Sequence, residues 1–190
     1  VKYGRKHKIF PFEDWEIEYP TNAEVSRLPT LTIKHQRILM RHLIEKPTAQ
    51  NIGVLLALCT GMRIGEVCAL QWQDVDFRQR IITVRHTVGR VYNCELKSTE
   101  KIHSSPKTRN SYRDIPISKH LFQCLKTVKK VSASPYVVGS AEHSKEPRSY
   151  RDYFSRLLKR LDIPQIVFHG LRHIISSYSL KTRNLQRLSA

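Results

Sequence analysis

Apolar residues recur along this chain with two different periods, and the change of period divides it. Thr32 stands where a helix N-cap is expected, with Ile33, Arg37, Ile38, Met40 and Leu43 spaced for an amphipathic helix that Pro47 ends. Residues 51–60 (NIGVLLALCT) are apolar nearly all round and predict a buried helix, with Gly61 placed as its stop. A short helix is expected from Ile64 to Leu70, then a turn at Asp74-Val75-Asp76. From Ile81 to Val88 the period shortens to alternation and β-branched residues accumulate, which predicts a strand. Residues 95–110 are polar and Arg113 to Ile117 resumes strand character, so a hairpin or three-stranded sheet is expected between about 80 and 118. Ser118 caps a helix over roughly 119–130, and Tyr136 to Val138 is a short extended piece. Pro147 opens a helix carrying Tyr150, Phe154, Leu157, Leu158 and Leu161 on one stripe, which Pro164 breaks. Residues 169 to about 180 read as a final helix, and 181–190 are basic and weakly patterned. Residues 1–29 hold Pro11, Pro20 and Pro29 without a sustained period and read as a linker or extended arm. Helices, a small antiparallel sheet and helices again make an α+β arrangement, mainly helical.

At 190 residues the chain suits one domain and needs no disulfide or metal to bury a core. No apolar run approaches the roughly 20 residues of a membrane span, and the N-terminus has no apolar signal region. The chain starts at Val1, as an excised piece would. The net charge of +17 changes the picture more, because it sets up an attractive field for polyanions. No helix pairs a Lys/Arg face with a Trp/Phe/Leu face as a membrane-surface helix would, so nucleic acid is the expected partner. Cys59, Cys68, Cys94 and Cys124 lie far apart with no C-x-x-C pair. Cys59 and Cys68 read as buried thiols of an intracellular protein.

Three patches carry chemistry. In Thr60-Gly61-Met62-Arg63-Ile64-Gly65-Glu66 an arginine stands between two glycines at a helix start, and Glu66 can hold its guanidinium along one face. Taken alone, the patch also suits a tight turn with a surface ion pair. The stretch 105–116 (SPKTRNSYRDIP) gathers cations at a hairpin tip, and alone suits a solvated basic loop. In His169-Gly170-Leu171-Arg172-His173, helical offsets of three and four put His169, Arg172 and His173 on one face, which favours a bound anion there. The two histidines also match the spacing of H-E-x-x-H, but Gly170 replaces the general base and no third ligand is evident, so no metal is expected. Tyr178, nine residues beyond His169, points to the opposite face at about 100° per residue and reads as a packing residue.

Taken in order, TGMRIGE, PKTRNSYRDIP and HGLRH resemble the tyrosine recombinase (phage integrase) family, and the flanking CALQWQDVDF and ITVRHTVGR are similar to integrases of conjugative transposons and phages. The resemblance covers residues 30 to 180 and implies a mainly helical α+β catalytic domain with a small antiparallel sheet, clamped on double-stranded DNA. It implies site-specific DNA recombination or integration, in which a tyrosine attacks a phosphodiester and forms a 3′-phosphotyrosyl link without metal or cofactor. By resemblance Arg63 and Arg172 hold the non-bridging oxygens. Lys107 matches the general acid for the leaving oxygen. His169 matches a proton-transfer and phosphate contact, Glu66 an acidic residue that orients Arg63, and His173 a supporting position. Residues 1–29 would then be the linker and end of an N-terminal core-binding region, and 30–190 a catalytic domain lacking its C-terminal end. The resemblance further implies a homo-oligomer on attachment-site DNA for the full-length parent, in the bacterial cytoplasm and nucleoid.

The family pattern continues with a His or Trp about 25 residues beyond the arginine of H-x-x-R and the nucleophilic tyrosine about 35 beyond it. From Arg172 both fall past Ala190, so no nucleophile is expected within these 190 residues and the chain alone is expected to be inactive. A DNA-binding module that occupies sites without cutting them is the alternative, and a general basic RNA binder would leave the three motifs unused.

Overall fold

The computed structural model describes residues 30–94, 98–104, 112–140, 143–172 and 174. The expected arm over 1–29 and the basic stretch 181–190 lie outside the described residues. Helix α1 spans Ile33–Glu45, and the Thr32 side chain accepts from the His35 N–H. Its buried residues are Leu39 and Leu43, while Ile33 is exposed and Ile38 and Met40 are half-buried, so the apolar stripe is rotated from the expected one. Helix α2, Ala49–Thr60, starts at Thr48, whose side chain accepts from the Asn51 N–H at 3.1 Å, and is buried without interruption from Asn51 to Leu58. Gly61 closes it in the left-handed region at φ 69°, a conformation that costs an L side chain steric strain.

Helix α3, Ile64–Ala69, follows after three residues, and a 3-10 turn at Trp72–Asp74 leads into β1, Val75–Asp76, where the sequence pattern predicts only a turn. β2 is Ile81–Val84, β3 Thr87–Asn93, β4 Ser98–Ser104 and β5 Arg113–Pro116. The alternating run 81–88 is therefore two strands, parted at Arg85-His86, and they belong to different sheets. β2 pairs antiparallel with both β1 and β5 in a three-stranded sheet, with Val84 opposite Arg113. β3 and β4 form a separate two-stranded antiparallel ribbon, from Thr87 opposite Ser104 to Asn93 opposite Ser98. The polar stretch 95–110 thus supplies a strand over 98–104.

The ribbon is held in two places. β3 lies so close to α3 that a Cβ on Gly65 would stand 2.5 Å from the Val88 carbonyl oxygen and 2.6 Å from the Thr87 hydroxyl. A backbone atom cannot rotate away, so only glycine permits this approach. Farther along β3, Arg90 Nε lies 3.2 Å from Glu146, the residue just before α5.

Helix α4, Lys119–Val131, starts at Ser118, although that side chain makes no capping hydrogen bond. Helix α5, Pro147–Arg160, opens on Pro147 and buries Tyr150, Phe154, Leu157 and Leu158. Its stripe and α2 meet in the core, where the Tyr150 hydroxyl donates to the Gln50 carbonyl at 2.5 Å. Phe154 meets Phe168 edge-on with ring centroids 5.3 Å apart, and Tyr150 meets the same ring at 5.7 Å. Cys68 and Cys124 are buried and Cys59 half-buried, and burial pushes the Cys59 thiol up to about 11. Among the described residues no helix is long and apolar enough to cross a membrane.

Candidate phosphate-binding site

Three separate segments meet where α2 ends and α3 begins. The first is the turn Gly61-Met62-Arg63. Met62 is buried and fixes the turn, while Arg63, the residue before α3, points outward with 54% of its side chain exposed. Glu66, one turn into α3, is only 4% exposed. Its Oε2 accepts from the Arg63 backbone N–H at 2.7 Å, closing the first turn of the helix, and its Oε1 accepts from Arg63 Nη1 at 3.1 Å.

The second segment is the start of β5. Arg113 reaches the same carboxylate with both terminal nitrogens, Nη1 to Oε1 at 3.0 Å and Nη2 to Oε2 at 2.8 Å. Glu66 therefore accepts four N–H bonds from two arginines. Burial pushes its carboxyl pKa up, but the bonds from Arg113 and from the Arg63 N–H and guanidinium outweigh it and hold the group below its ordinary value.

The third segment follows α5. Phe168, Leu171 and Ile174 turn into the core. Consecutive bonds from Gly170 N to Val167 O, Leu171 N to Phe168 O and Arg172 N to His169 O tighten the turn between them. Arg172 is thereby turned toward the end of α2, where Nη1 donates to the Gly61 carbonyl at 2.9 Å. A cation at a helix C-terminus is favoured by the unsatisfied carbonyls there. Burial first, then the Arg63 and Arg113 charges, push the Arg172 guanidinium below its ordinary value, while Glu66 opposes them. Arg63, Arg113, Arg172 and Glu66 together leave two positive charges in excess, at a partly buried place that suits a tetrahedral oxyanion.

The structure brings Arg63, Glu66 and Arg172 together. His169 stands on the exposed turn just before the helical residues begin at Gly170, and its carbonyl accepts from the Arg172 N–H at 3.0 Å. Lys107, His173 and Tyr178 lie outside the described residues, as does most of the expected helix 169–180. Arg113 is the residue the site residues expected from sequence leave out. It lies within the cationic stretch 105–116, but its partner is 47 positions away and only strand pairing brings them together. Among the described residues no group of three or more His, Cys, Asp and Glu side chains could hold a metal ion.

Residues 30–184 match the phage integrase family. The chain is 28% identical over 138 residues to a XerC-like tyrosine recombinase of Caldanaerobacter subterraneus subsp. tengcongensis, covering 63% of this chain and 35% of that protein. It is 31% identical over 130 residues to the ICEBs1 integrase of Bacillus subtilis, covering 62% of this chain and 34% of that protein. The matches thus span about a third of the length of these curated relatives. In fold it is similar to the integrase of transposon Tn1549, solved in complex with a circular intermediate DNA, at a TM-score of 0.66 and 20% identity, over 84% of this chain and 55% of that one.

Proposed function

The chain belongs to the phage integrase family, the tyrosine recombinases that break and rejoin DNA, and from that premise we propose that its described site binds and polarises the phosphodiester to be cut. The observation that carries this is the convergence of Arg63 and Arg172 from segments more than a hundred residues apart, around a buried carboxylate that cannot itself face an anion. An attacked phosphodiester gathers negative charge on its two non-bridging oxygens. Positioned guanidinium donors lower that charge's energy most when it is fully developed, which is the condition for catalysis rather than mere binding. Lys107 would give the proton to the leaving 5′-oxygen, and His169, with His173 behind it, would assist proton transfer. No metal or cofactor is required.

By the family's spacing the nucleophilic tyrosine falls past residue 190, so these 190 residues hold the phosphate without forming the covalent link. The whole recombinase would act as one subunit of a homo-oligomer on attachment-site DNA in the bacterial cytoplasm. Incubated with a nicked duplex and denatured, the 190-residue chain should leave no covalent protein–DNA adduct on a gel. An adduct mapping to Tyr178 would overturn this division of labour. The phosphate role has its own test. Orthovanadate, a mimic of the pentacoordinate phosphorus, should bind the chain, and Arg172→Ala should weaken it about tenfold or more, as expected for loss of charge-assisted hydrogen bonds. Unchanged affinity in a folded variant would remove Arg172 from the site. Should the chain bind duplex DNA without vanadate competing, the alternative of a non-catalytic DNA-binding module gains.

A further inference from the structure

Glu66 presents an electrostatic problem that Arg63 alone does not solve. A carboxylate this deeply buried loses its water and must be compensated by partners that are held in place. Arg63 is more than half exposed and touches Glu66 with one guanidinium nitrogen, a contact that its flexible side chain and solvent both weaken. Arg113 is the better partner on every count. Only 28% of its side chain is exposed, it engages both carboxylate oxygens in parallel, and its backbone is fixed opposite Val84 in the three-stranded sheet.

We propose that Arg113 is a positioning residue: from the first position of β5 its fork clamps Glu66, and the clamped carboxylate aims Arg63 at the phosphate. The inference rests on the phosphate role proposed above for Arg63 and Arg172. It assigns Arg113 a different task from theirs, because both of its terminal nitrogens are directed at Glu66. Among the described residues two cations meet Glu66 at hydrogen-bonding distance, one from α3's entry and one from β5, while Arg172 reaches it through space. If Arg113 is lost, Glu66 keeps its bond to the Arg63 N–H but becomes free to tilt. Arg63 then has no fixed acceptor against which to hold its guanidinium.

Orthovanadate binding to the whole 190-residue chain, followed by titration calorimetry, tests this. Arg113→Gln should weaken vanadate about tenfold while circular dichroism stays that of the parent. Arg113→Lys, which keeps the charge but not the fork, should fall between the two. Glu66→Gln should weaken vanadate by a similar factor, and adding Arg113→Gln to it should weaken binding no further. Additive losses in the double variant would mean that Arg113 acts on the anion by its own charge, and would overturn the proposal. So would parent-like affinity in Arg113→Lys, which also serves as the test if Arg113→Gln fails to fold. Arg63→Ala and Arg172→Ala separate the two layers. If neither changes vanadate affinity, the phosphate reading fails and takes the clamp with it. If they weaken binding and Arg113→Gln does not, only the clamp fails.

Discussion

Replacing Glu66 with alanine should lower the unfolding free energy by about 2–3 kcal/mol, read as a shift in urea midpoint at unchanged slope. Breaking a fully buried ion pair costs about 3–5 kcal/mol, and the value here is smaller because Arg63 and Arg113 are partly exposed and can rehydrate. What makes the change severe is the residue left behind. Three guanidiniums would face one another with no anion between them, and the first turn of α3 would lose its acceptor for the Arg63 N–H. The sign of the pH dependence follows from the same contacts. The folded carboxyl lies below its ordinary 4.5, despite burial, because of the Arg113 and Arg63 hydrogen bonds. Its contribution is therefore complete above that ordinary value and is lost as pH falls through the folded one. Stability of the parent should drop more steeply than that of Glu66→Gln between about pH 5 and about pH 3. Parallel curves would mean that Glu66 is not ionised in the folded state.

Phe154→Ala should cost more, about 3–5 kcal/mol, since it empties a fully enclosed aromatic site. Phe154 is buried and meets Phe168 edge-on, and Phe168 is the residue immediately before His169. The cavity would open directly under the turn that carries Arg172. A second readout is therefore expected to move: vanadate affinity should fall although no residue near the anion has changed. Val131→Ala, at a position 84% exposed on α4, should shift stability by less than about 0.5 kcal/mol and leave vanadate binding alone. A small effect at Phe154 would mean that Phe168 collapses into the space without disturbing the turn.

Helices were the legible part of this sequence because several announce an end chemically. Thr32, Thr48, Gly61 and Pro147 occupy the cap, stop and first-turn positions that the backbone requires, although only the first and the last two are marked by pattern alone. The α5 stripe follows directly from its apolar spacing. The sheets were harder for a physical reason. β4 reads Ser-Thr-Glu-Lys-Ile-His-Ser, with no apolar alternation to mark a buried face, and its strand identity comes from pairing with β3. The break at Arg85-His86 is likewise invisible, since the alternation runs straight across it. In the site, Arg63, Glu66 and Arg172 could be picked out from short motifs. Arg113 could not be given a role, because the information is tertiary: β5 must pair with β2 before its first side chain reaches α3.

The separation of the two sheets has a consequence for how tolerant this region is to change. A strand as polar as β4 is weakly specified in register and can slip by a residue without burying the wrong side. Were β3, β4 and β5 one continuous sheet, such a slip would be handed on to Arg113 and would swing it to the opposite face. Here the pairing of Val84 with Arg113 shares no strand with the β3–β4 ladder. The turn between β3 and β4 can therefore gain or lose residues, and β4 can slip along β3, which its contacts with Gly65 and Glu146 hold in place, while the clamp on Glu66 keeps its aim. Variation of register in β4 is thus kept from the strand pairing that holds Arg113 on Glu66.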